Sequence, residues 1–403
     1  MGAYGRGVQG AHRGVPKVIA SGVASGFFVA RSQCMLSLKE PSSRMLPSES
    51  PAASLTSLLQ PGASQRVIRA RAPLRISFAG GGTDVPPYCD ERGGAVLSAT
   101  INRYACASAT IGGGMLAVKS LDYDATISYG IDDPFVYDGQ LDLAKGVLDH
   151  FRKTAPLHEG LDISLHNAAP PGSGLGSSSA ITVALVRTMA EFMRLSLDPY
   201  QLADLAYRIE RLEVGIKGGK QDHYSTAFGG FNYIEFYDGI AVVNPLRLRR
   251  QTLYELEYRM VVAYVGGSHF SSNIIERQVS NYQNSVDGTL KAMDDLKRLA
   301  FEMKQALLRG RIDEFGAMLD ASWQAKKQMA EGITDPRIDE IYEAARKAGA
   351  LGGKITGAGG GGFMFFLAEP GELFSLQSAL KAQGAQLVDF SFVEEGVHAW
   401  TLG

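Results

Sequence analysis

Apolar and polar positions along this chain follow a regular pattern from Val67 onward. Leu74, Ile76 and Phe78 occupy alternating positions, which predicts a strand with one buried face. Further strands are predicted over 97–111, 115–120, 125–130, 162–167, 231–237 and 258–265. Helices are predicted over 141–153, 178–194, 199–214, 274–282, 288–309, 312–331 and 336–348, before a closing helix and two short strands. Strands and helices do not follow a βαβ order, so the pattern predicts an α+β fold.

Residues 1–66 lack this pattern. They are rich in Gly, Ala, Ser and Pro, and their basic residues outnumber their acidic ones. They do not contain the hydrophobic region and cleavage pattern of a secretory signal. Two interpretations remain: a disordered or targeting leader, or a non-native extension from a start codon assigned too far upstream. The abrupt onset of the pattern at Val67 favours the extension.

The composition of the 403 residues is typical of a globular protein, with 45% hydrophobic and 20% charged residues. This length is sufficient for two domains. A formal net charge of −2 predicts neither a nucleic-acid partner nor an anionic membrane partner. No apolar run reaches the roughly 18 residues of a membrane-spanning helix. Three cysteines without metal-type or disulfide-type spacing favour a reducing compartment, the cytoplasm.

One segment, 170–185, has the features of a phosphate-binding loop. Its glycines let backbone N–H groups approach a bulky anion, and its serines stand where an apolar helix begins. The free N–H groups and the positive end of the helix dipole therefore point to one place. The predicted phosphate contacts are Pro171, Gly172, Ser173, Gly174, Leu175, Gly176, Ser177, Ser178 and Ser179. No Lys-Ser or Lys-Thr pair follows, so this is not a P-loop, and a simple helix cap is the alternative interpretation.

A second glycine-rich segment, 79–84, follows the first predicted strand. It is either a simple turn or a place where the backbone closely approaches a small ligand. The carboxylate of Asp84 offers two acceptor oxygens, which suit the vicinal hydroxyls of a sugar. The predicted ligand contacts here are Gly81, Gly82, Thr83 and Asp84. Arg75 is charged within an apolar strand, so it lies either on a solvated face or against an anion.

A third segment is denser still, with six glycines among the ten positions from Gly353 to Gly362. Such a density costs backbone entropy, and a disordered linker would not continue into the apolar strand that follows. The segment is predicted to form a backbone wall beside a bound ligand. Its predicted substrate contacts are Gly357, Gly359 and Gly360, and a purely structural turn is the alternative.

Between these segments lies a set of charged residues suited to phosphoryl transfer. Transfer to a hydroxyl needs a carboxylate that takes or orients its proton, ligands for Mg²⁺, and positive charge near the transferred group. Ser178, Glu210, Asp222 and Lys220 together supply these groups, with Asp222 and Lys220 in a predicted glycine-rich turn. For Glu210, an exposed helix charge is the simpler interpretation.

Taken together, three motifs in this order resemble those of the GHMP small-molecule kinases, which include galactokinases and mevalonate kinases. They are APLRISFAGGGTD at 72–84, PPGSGLGSSSA at 170–180 and KITGAGGGGFMFF at 354–366. Within that superfamily, AGGGTDVPPY at 79–88 together with GGKQDHYSTAFGGFNY at 218–233 resembles the heptose 7-phosphate kinases. Those in turn resemble the kinase part of fucokinases. The resemblance spans the chain from Val67 to its C-terminus.

This resemblance implies an α+β fold of two lobes, over 67–245 and 246–403, with ATP over the second motif. The sugar is expected between the lobes. The implied reaction is Mg²⁺-dependent transfer from ATP to the anomeric hydroxyl of D-glycero-D-manno-heptose 7-phosphate. The expected partners are thus two small molecules, ATP and a sugar phosphate, and the sequence does not indicate an oligomeric state.

The resemblance also assigns roles by position. Ser178 and Glu210 match the Mg²⁺ ligands, and Asp222 matches the aspartate that takes or orients the acceptor proton. Asp84 matches the residue that holds sugar hydroxyls, and Arg75 matches the arginine near the reacting centre. The expected catalytic residues are therefore Asp222 and Arg75, and Lys220 is expected to contact the substrate.

The chain also departs from the family pattern. Gly81 and Gly82 replace the Glu-His pair of galactokinases, which argues against galactose as the substrate. His223 stands where related heptose kinases often carry Gln. A fucose-type sugar 1-kinase and a non-catalytic sugar sensor on the same scaffold are the alternatives. Candidates for binding the acceptor's own phosphate are Arg71, Arg103, Lys217 and Lys220.

Overall fold

The computed structural model describes residues 66–170, 172–267 and 271–403, so the leader before Arg66 and the predicted phosphate contact Pro171 lie outside the described residues. The strands are β1 (Val67–Ala79), β2 (Gly94–Ile111), β3 (Met115–Ser120), β4 (Ala125–Gly130), β5 (Leu161–Asn167), β6 (Phe231–Tyr237), β7 (Ile240–Pro245), β8 (Met260–Gly266), β9 (Ala350–Ile355), β10 (Gly362–Ala368), β11 (Gln386–Val388) and β12 (His398–Leu402). The helices are α1 (Tyr88–Arg92), α2 (Asp142–Thr154), α3 (Ser177–Phe192), α4 (Pro199–Tyr207), α5 (Gln221–Phe228), α6 (Arg250–Arg259), α7 (Ser271–Gln283), α8 (Thr289–Arg309), α9 (Ile312–Lys327), α10 (Pro336–Lys347) and α11 (Leu373–Ala382). None of these helices combines the length and the hydropathy that crossing a membrane requires.

An eight-stranded sheet forms around the long strands β1 and β2. Its strand order is β12-β1-β2-β5-β3-β4, with β6 paired to β2 and β7 paired to β6. Leu74, Ile76 and Phe78 are buried as predicted, but so are Arg75 and Ser77 at the intervening positions. Strand β1 is therefore covered on both faces over this stretch, which brings a charged side chain into the interior. Helix α3 packs against β1 and β2.

A four-stranded sheet with the order β11-β8-β10-β9 forms the second part of the fold. Its strand β10 is the apolar run predicted after the third glycine segment, and every residue of it is buried. Helix α9 packs on β9. Trp323 of α9, Tyr342 of α10 and Phe366 of β10 belong to one buried apolar cluster. The helix α9 is thus fixed against the sheet that carries the third motif.

The strands divide between the two sheets near the predicted lobe boundary at 245/246. Strands β1–β7 belong to the first sheet and β8–β11 belong to the second. The end of the chain does not follow this division, because β12 pairs with β1, and Phe392 forms a bridge with Ile101. The C-terminal segment returns to the first sheet, and the division into two lobes stays a prediction.

The region from 199 to 228 differs from its prediction in two ways. Helix α4 ends at Tyr207 and continues as a π-helical turn over Arg208–Glu213, which carries the buried side chain of Glu210. Such turns occur frequently at functional sites. The glycine-rich turn is shorter than predicted, because α5 begins at Gln221 and includes Asp222. The structure also adds β7 and α6, a short strand and a largely polar helix that the apolar pattern did not predict.

Candidate active site

The glycine-rich loop 172–176 leads into α3, as the predicted phosphate site requires. Gly174 and Gly176 have φ values of +84° and +76°, in the left-handed region that favours glycine. Helix α3 begins at Ser177, and its N-cap is Gly176, which has no side chain to satisfy the first N–H groups. Ser178 is exposed at this end of the helix. The open N–H groups and the helix dipole suit a phosphate.

Several predicted phosphate contacts have side chains that face the protein instead. Ser173, Leu175, Ser177 and Ser179 are buried. The carbonyl of Leu175 accepts from the N–H of Arg75 at 3.1 Å, and Oγ of Ser179 accepts from Arg211 at 3.2 Å. These contacts hold the loop in place, so a phosphate would meet backbone N–H groups of the loop and not these side chains; the N–H of Ser173 itself donates to the carbonyl of Pro170 at 3.2 Å.

The third motif packs against this loop. A Cβ on Gly174 would lie 2.3 Å from the carbonyl oxygen of Thr356, and one on Gly357 would lie 2.7 Å from Cα of Gly174. The N–H of Phe363 donates to the carbonyl of Ser173 at 3.0 Å. Close contact between two backbones therefore accounts for much of the glycine density in both segments.

The predicted substrate contacts in the third motif are likewise occupied by protein. The N–H of Gly360 donates to the carbonyl of Ile333 at 2.9 Å, and a Cβ on Gly359 would lie 2.7 Å from that carbonyl oxygen. Gly357 contacts the phosphate loop. All three glycines thus contact protein backbone where the sequence predicted contacts with the ligand, and a side chain at Gly357 or Gly359 would collide with backbone atoms.

Arg75 and Asp222, the two predicted catalytic residues, form an ion pair. Nε of Arg75 donates to Oδ1 of Asp222 at 2.7 Å, and Nη2 lies 2.5 Å from the same oxygen. Nη1 donates to the carbonyl of Gly174 at 2.5 Å. The side chain of Arg75 is 3% exposed, which excludes the solvated-face interpretation, whereas that of Asp222 keeps 17%. Asp222 therefore borders the phosphate loop with a carboxylate that Arg75 orients.

Ser178 and Glu210, the predicted metal ligands, are in direct contact. Oγ of Ser178 donates to Oε1 of Glu210 at 2.7 Å, and Nη1 of Arg211 lies 3.0 Å from that oxygen. Nε2 of His223 lies 2.7 Å from Oε2. Glu210 is fully buried, so its interpretation as an exposed helix charge is wrong. We call these four residues the Glu210 group.

The carboxylate of Glu210 is held in its charged form. Burial alone would raise its pKa, but the neighbouring Arg211 and His223, with the hydrogen bonds from His223 and Ser178, lower the pKa to about 2. His223 itself is buried, and its Nδ1 has no hydrogen-bond partner among the described residues. The charge of Glu210 is thus compensated by protein groups alone.

The Glu210 group offers the ligand type that Mg²⁺ prefers. Its hydroxyl and carboxylate oxygens lie 2.7 Å apart at the mouth of the phosphate loop. Within the described part of the chain, no cluster of three or more His, Cys, Asp or Glu side chains could hold a metal ion. Ser178 and Glu210 fit a magnesium ion that takes its remaining ligands from phosphates and water.

Thr83 and Asp84 contact protein where the sequence predicted contacts with the sugar. Both residues are fully buried. The carboxylate of Asp84 accepts from the N–H of Gly82 at 3.0 Å and from the backbone and side-chain nitrogens of Gln221 at 3.0 and 3.2 Å. Oγ1 of Thr83 donates to the carbonyl of Gly80 at 2.8 Å. Asp84 therefore fixes the start of α5 and, through it, the position of Asp222.

Lys220, a predicted substrate contact, forms a salt bridge with a residue of α1. Its Nζ lies 3.1 Å from Oδ1 of Asp90, and its side chain is 11% exposed. The ammonium also lies 5.8 Å from the centre of the Tyr207 ring. These contacts anchor the residue that precedes α5, and they leave little of its side chain for a ligand.

Two buried lysines near the first motif escaped the sequence reasoning. Nζ of Lys326 donates to the carbonyl of Gly81 at 3.0 Å, and Nζ of Lys354 donates to that of Ser77 at 3.1 Å. Burial lowers the pKa of Lys326 to about 8, and burial with the charges of Lys326 and Arg75 lowers that of Lys354 to about 7. The sequence does contain a signal for these two lysines, because Lys326 interrupts the apolar side of α9 and Lys354 lies in an apolar strand.

Two family models match this chain. The model described as GHMP kinases N terminal domain matches residues 142–230, and the one described as GHMP kinases C terminal matches residues 303–386. The first match contains the phosphate loop, Glu210 and Asp222. The second contains both buried lysines and the third motif.

Individual relatives match over most of the chain. A D-glycero-alpha-D-manno-heptose 7-phosphate kinase of Campylobacter jejuni is 38% identical over 341 residues, which cover 84% of this chain and 100% of the relative. An L-fucokinase/L-fucose-1-P guanylyltransferase of Bacteroides fragilis is 28% identical, over 76% of this chain and 35% of that protein. The crystal structure of a D-glycero-D-manno-heptose 1-phosphate kinase from Bacteroides thetaiotaomicron aligns with a TM-score of 0.70 and 34% identity, over 83% of this chain and 98% of that one.

Proposed function

This chain belongs to the GHMP kinase family, and from that premise we propose that it phosphorylates the anomeric hydroxyl of D-glycero-D-manno-heptose 7-phosphate, with ATP as donor. The product is the 1,7-bisphosphate. The observation that carries the proposal is the Arg75–Asp222 ion pair at the edge of the phosphate loop. It sets a carboxylate beside the expected position of the γ-phosphate. The full-length match to a heptose 7-phosphate kinase supports the choice of acceptor.

The donor side of the reaction uses the loop 172–176 and the start of α3. We assign the phosphates of ATP to the backbone N–H groups there, because the helix dipole and the uncapped N–H groups favour negative charge. Ser178 and Glu210 would hold Mg²⁺, which when bound neutralises charge on the phosphates. The buried and charged Glu210 is suited to this task, since Arg211 and His223 fix its position.

The acceptor side uses Asp222 and Arg75. The carboxylate of Asp222 takes or orients the proton of the attacking hydroxyl, while Arg75 fixes the carboxylate and brings positive charge near the transferred group. Asp84 supports this arrangement through Gln221, the residue directly before Asp222. Catalysis then consists of positioning and electrostatic stabilisation, as phosphoryl transfer requires.

Two alternative functions remain from the sequence, and one observation favours the first while another opposes the second. The match to the Bacteroides fragilis protein, named an L-fucokinase in its first part, supports a fucose-type sugar 1-kinase. A non-catalytic sugar sensor on the same scaffold is opposed by the geometry, because Ser178 with Glu210 and Arg75 with Asp222 are both in contact. A sensor would be free to lose either pair.

A panel of acceptors tests the proposal. ADP release is measured with heptose 7-phosphate, the dephosphorylated heptose, L-fucose, galactose and mevalonate. We expect heptose 7-phosphate to have the highest kcat/KM, by ~10²-fold or more over the free heptose, because hydrogen bonds to a phosphate are charge-assisted. A preference for L-fucose would replace the proposal with its first alternative. Sugar binding without ADP release would support the sensor.

We also propose that the protein works in the cytoplasm, where ATP is available. Cys89 and Cys106 are free thiols in the structure, which agrees with a reducing compartment. Burial raises the pKa of the Cys89 thiol to about 12, so this cysteine is unreactive at neutral pH.

A further inference from the structure

Lys326 and Lys354 are buried cations without a carboxylate partner. Their residues are 3% and 2% exposed, and their ammonium groups donate to the backbone carbonyls of Gly81 and Ser77. Across the described residues, neither Nζ forms a salt bridge with a carboxylate; the charge of Asp84 raises the pKa of Lys326, but burial outweighs it and lowers the pKa overall. An ammonium has three donors, and a buried charge without a counter-charge is unfavourable. Buried donors with unused hydrogen bonds need an explanation, and a bound anion is one.

Another buried lysine shows how this chain satisfies an ammonium when its task is structural. Lys145 of α2 is fully buried, and its Nζ lies 2.5 Å from Asp138, 3.0 Å from Asp142 and 2.7 Å from the carbonyl of Val136. All three donors are used and two carboxylates balance the charge. Burial would lower the pKa of Lys145, yet these carboxylates raise it overall, whereas the pKa values of Lys326 and Lys354 are lowered.

Further unsatisfied polar groups surround the two lysines. Oγ of Ser77, Oε1 of Gln221 and Nε2 of Gln278 have no hydrogen-bond partner among the described residues. These three residues are 1%, 8% and 3% exposed. We call Ser77, Gln221, Gln278, Lys326 and Lys354 the Lys326 cluster.

The glycines of the first motif bring this cluster together. A Cβ on Gly82 would lie 3.3 Å from both Nζ of Lys326 and Oε1 of Gln278. A Cβ on Gly81 would lie 3.3 Å from Oγ of Ser77 and 3.4 Å from Nε2 of Gln221. Ammonium, amide and hydroxyl groups therefore converge on one backbone turn. The two ammonium groups, Oγ of Ser77 and Nε2 of Gln278 are the donors that suit a phosphate, whereas Nε2 of Gln221 already donates to Asp84.

The cluster lies to one side of the reacting centre. Lys354 contacts Ser77, and Ser77 is two residues along β1 from Arg75, roughly 7 Å at ~3.3 Å per residue. Arg75 already supplies positive charge beside Asp222. An anion bound in the cluster would thus lie some distance from the transferred phosphoryl group, as a phosphate at the other end of the acceptor sugar would.

We propose that Lys326 and Lys354 bind the phosphate that the acceptor sugar already carries. This assignment rests on the proposed function, because it requires a phosphorylated acceptor. Among the candidates from the sequence, Arg71 pairs with Glu395, Arg103 donates to the carbonyl of Asp389 and Lys220 pairs with Asp90, whereas Lys217 is exposed and stays an untested candidate.

Helix α7 covers the cluster and has to shift when the phosphate binds. It contributes Gln278, and Nδ2 of its Asn281 donates to the carbonyl of Met329 at 3.0 Å. The cavity beside Gly82 and Gln278 has a volume of about 10 Å³. That is room for about one water molecule and not for a phosphate.

The test uses the variant Lys326→Met, with Lys145→Met as the matched control. For each protein, kcat and KM are measured with heptose 7-phosphate and with the dephosphorylated heptose, and the melting temperature is recorded. We expect Lys326→Met to raise KM for the phosphorylated acceptor ~10-fold to ~100-fold, with little change for the free sugar or ATP. Its melting temperature should stay or rise, because an unpaired buried charge is removed.

The control should behave in the opposite way. Lys145→Met should lower the melting temperature, because it leaves two carboxylates without their cation, and it should keep the preference for the phosphorylated acceptor. Lys354→Met, measured in the same assays, covers the case in which Lys326→Met does not fold. Isothermal titration of each protein with heptose 7-phosphate gives a second measure of binding that does not depend on turnover.

Three results would overturn the assignment. Lys326→Met and Lys354→Met could keep the wild-type preference, they could lower kcat equally for both acceptors, or they could only lower the melting temperature. The second result would place the lysines at the transferred phosphoryl group, and the third would make them structural. Failure of the proposed function looks different, because the wild-type protein itself would then prefer an unphosphorylated sugar.

Discussion

The Glu210 group and the Lys326 cluster flank Asp222 and differ in how their buried charges are compensated. Asp222 is flanked in the chain by one residue of each set: Gln221, before it, belongs to the Lys326 cluster, and His223, after it, belongs to the Glu210 group. In the Glu210 group, a buried carboxylate is balanced by Arg211 and His223. In the Lys326 cluster, each ammonium group donates to a backbone carbonyl, and within the described residues neither forms a salt bridge with a carboxylate.

The difference separates a preformed part of the site from one that a ligand completes. A balanced carboxylate keeps its position with or without nucleotide, which suits a residue that orients a metal ion. Unbalanced cations gain most when an anion arrives, because its charge also removes the cost of their burial. Under the proposed assignments, the donor side is formed before ATP binds, and the acceptor side completes its interactions only when the substrate binds.

The largest effect is expected from Asp222→Asn, since Asp222 serves both sides. The substitution keeps the shape and removes the proton acceptor, so kcat should fall ~10²–10⁴-fold while KM for ATP changes little. The steady-state rate with heptose 7-phosphate measures this. Asp238→Asn, in the exposed turn between β6 and β7, is the control. Near-normal turnover of Asp222→Asn would remove Asp222 from its catalytic role.

Glu210→Gln removes the buried negative charge of the Glu210 group. The change leaves Arg211 and His223 without their buried carboxylate, which should cost about 3–5 kcal/mol in the free energy of unfolding. It should also raise the Mg²⁺ concentration needed for half-maximal activity. Urea unfolding and a Mg²⁺ titration measure the two effects. Glu213→Gln, which alters an exposed pair with His150, should do neither. Superimposable Mg²⁺ titrations for Glu210→Gln and the wild type would refute the metal assignment.

The pH dependence of KM sharpens the comparison on the acceptor side. The pKa values of Lys326 and Lys354 are lowered to about 8 and about 7, with Arg75 and Asp84 as the neighbouring charges. As pH rises from 6.5 to 9, the lysines lose their protons, so KM for heptose 7-phosphate should rise by roughly 10-fold. KM for ATP should stay constant, because the pKa of Glu210 is about 2. A flat KM profile for the acceptor would contradict cationic binding.

A smaller effect is expected in the stability of the free protein. Lys354 has a folded-state pKa near 7 and an ordinary value of 10.5, so the unfolded chain binds more protons between these limits and the free energy of unfolding rises with pH. The slope is at most about 1.4 kcal/mol per pH unit. Glu210, lowered from 4.5 to about 2, contributes stability above pH 4.5 that is lost as pH falls towards 2.

The variant Lys354→Met shows how much Lys354 contributes to the pH dependence of the free energy of unfolding. Below pH 7 the variant should be more stable than the wild type, because it lacks the buried charge. The gap between the two proteins should narrow as pH rises towards 10. Urea unfolding at a series of pH values measures it. A gap that does not change with pH would show that Lys354 has the same pKa in the folded and the unfolded protein.

The donor side could be predicted from the sequence more fully than the acceptor side. Glycines before a helix N-terminus form a local signal, and the loop with Ser178 occurs where that signal placed it. The family resemblance then paired Ser178 with Glu210 and Arg75 with Asp222, although 32 and 147 residues separate them. Both pairs are in contact in the structure.

The acceptor side depends on tertiary contacts that no local pattern reveals. Lys326 and Gly81 are 245 residues apart, and Lys354 and Ser77 are 277 apart. Asp84 and Thr83 appeared to be free polar groups because the sequence does not show that Gln221 and Gly80 fill their hydrogen bonds. The glycines of the third motif were assigned to a ligand for the same reason, since Gly357 packs against Gly174 of the second motif and Gly359 and Gly360 pack against Ile333.

The position of the new phosphate tests the proposed reaction most directly. The chain's relatives include a heptose 7-phosphate kinase and a structure named a heptose 1-phosphate kinase, so the acceptor and the reacting hydroxyl need to be measured together. Heptose 7-phosphate is incubated with ATP and Mg²⁺, and the product is examined by two-dimensional ³¹P–¹H NMR. We expect a second phosphorus signal that couples to the anomeric proton, while the phosphorus signal of the phosphate at C7 is retained. Transfer to another hydroxyl, or no transfer to heptose 7-phosphate under conditions where another sugar is phosphorylated, would contradict the proposed reaction.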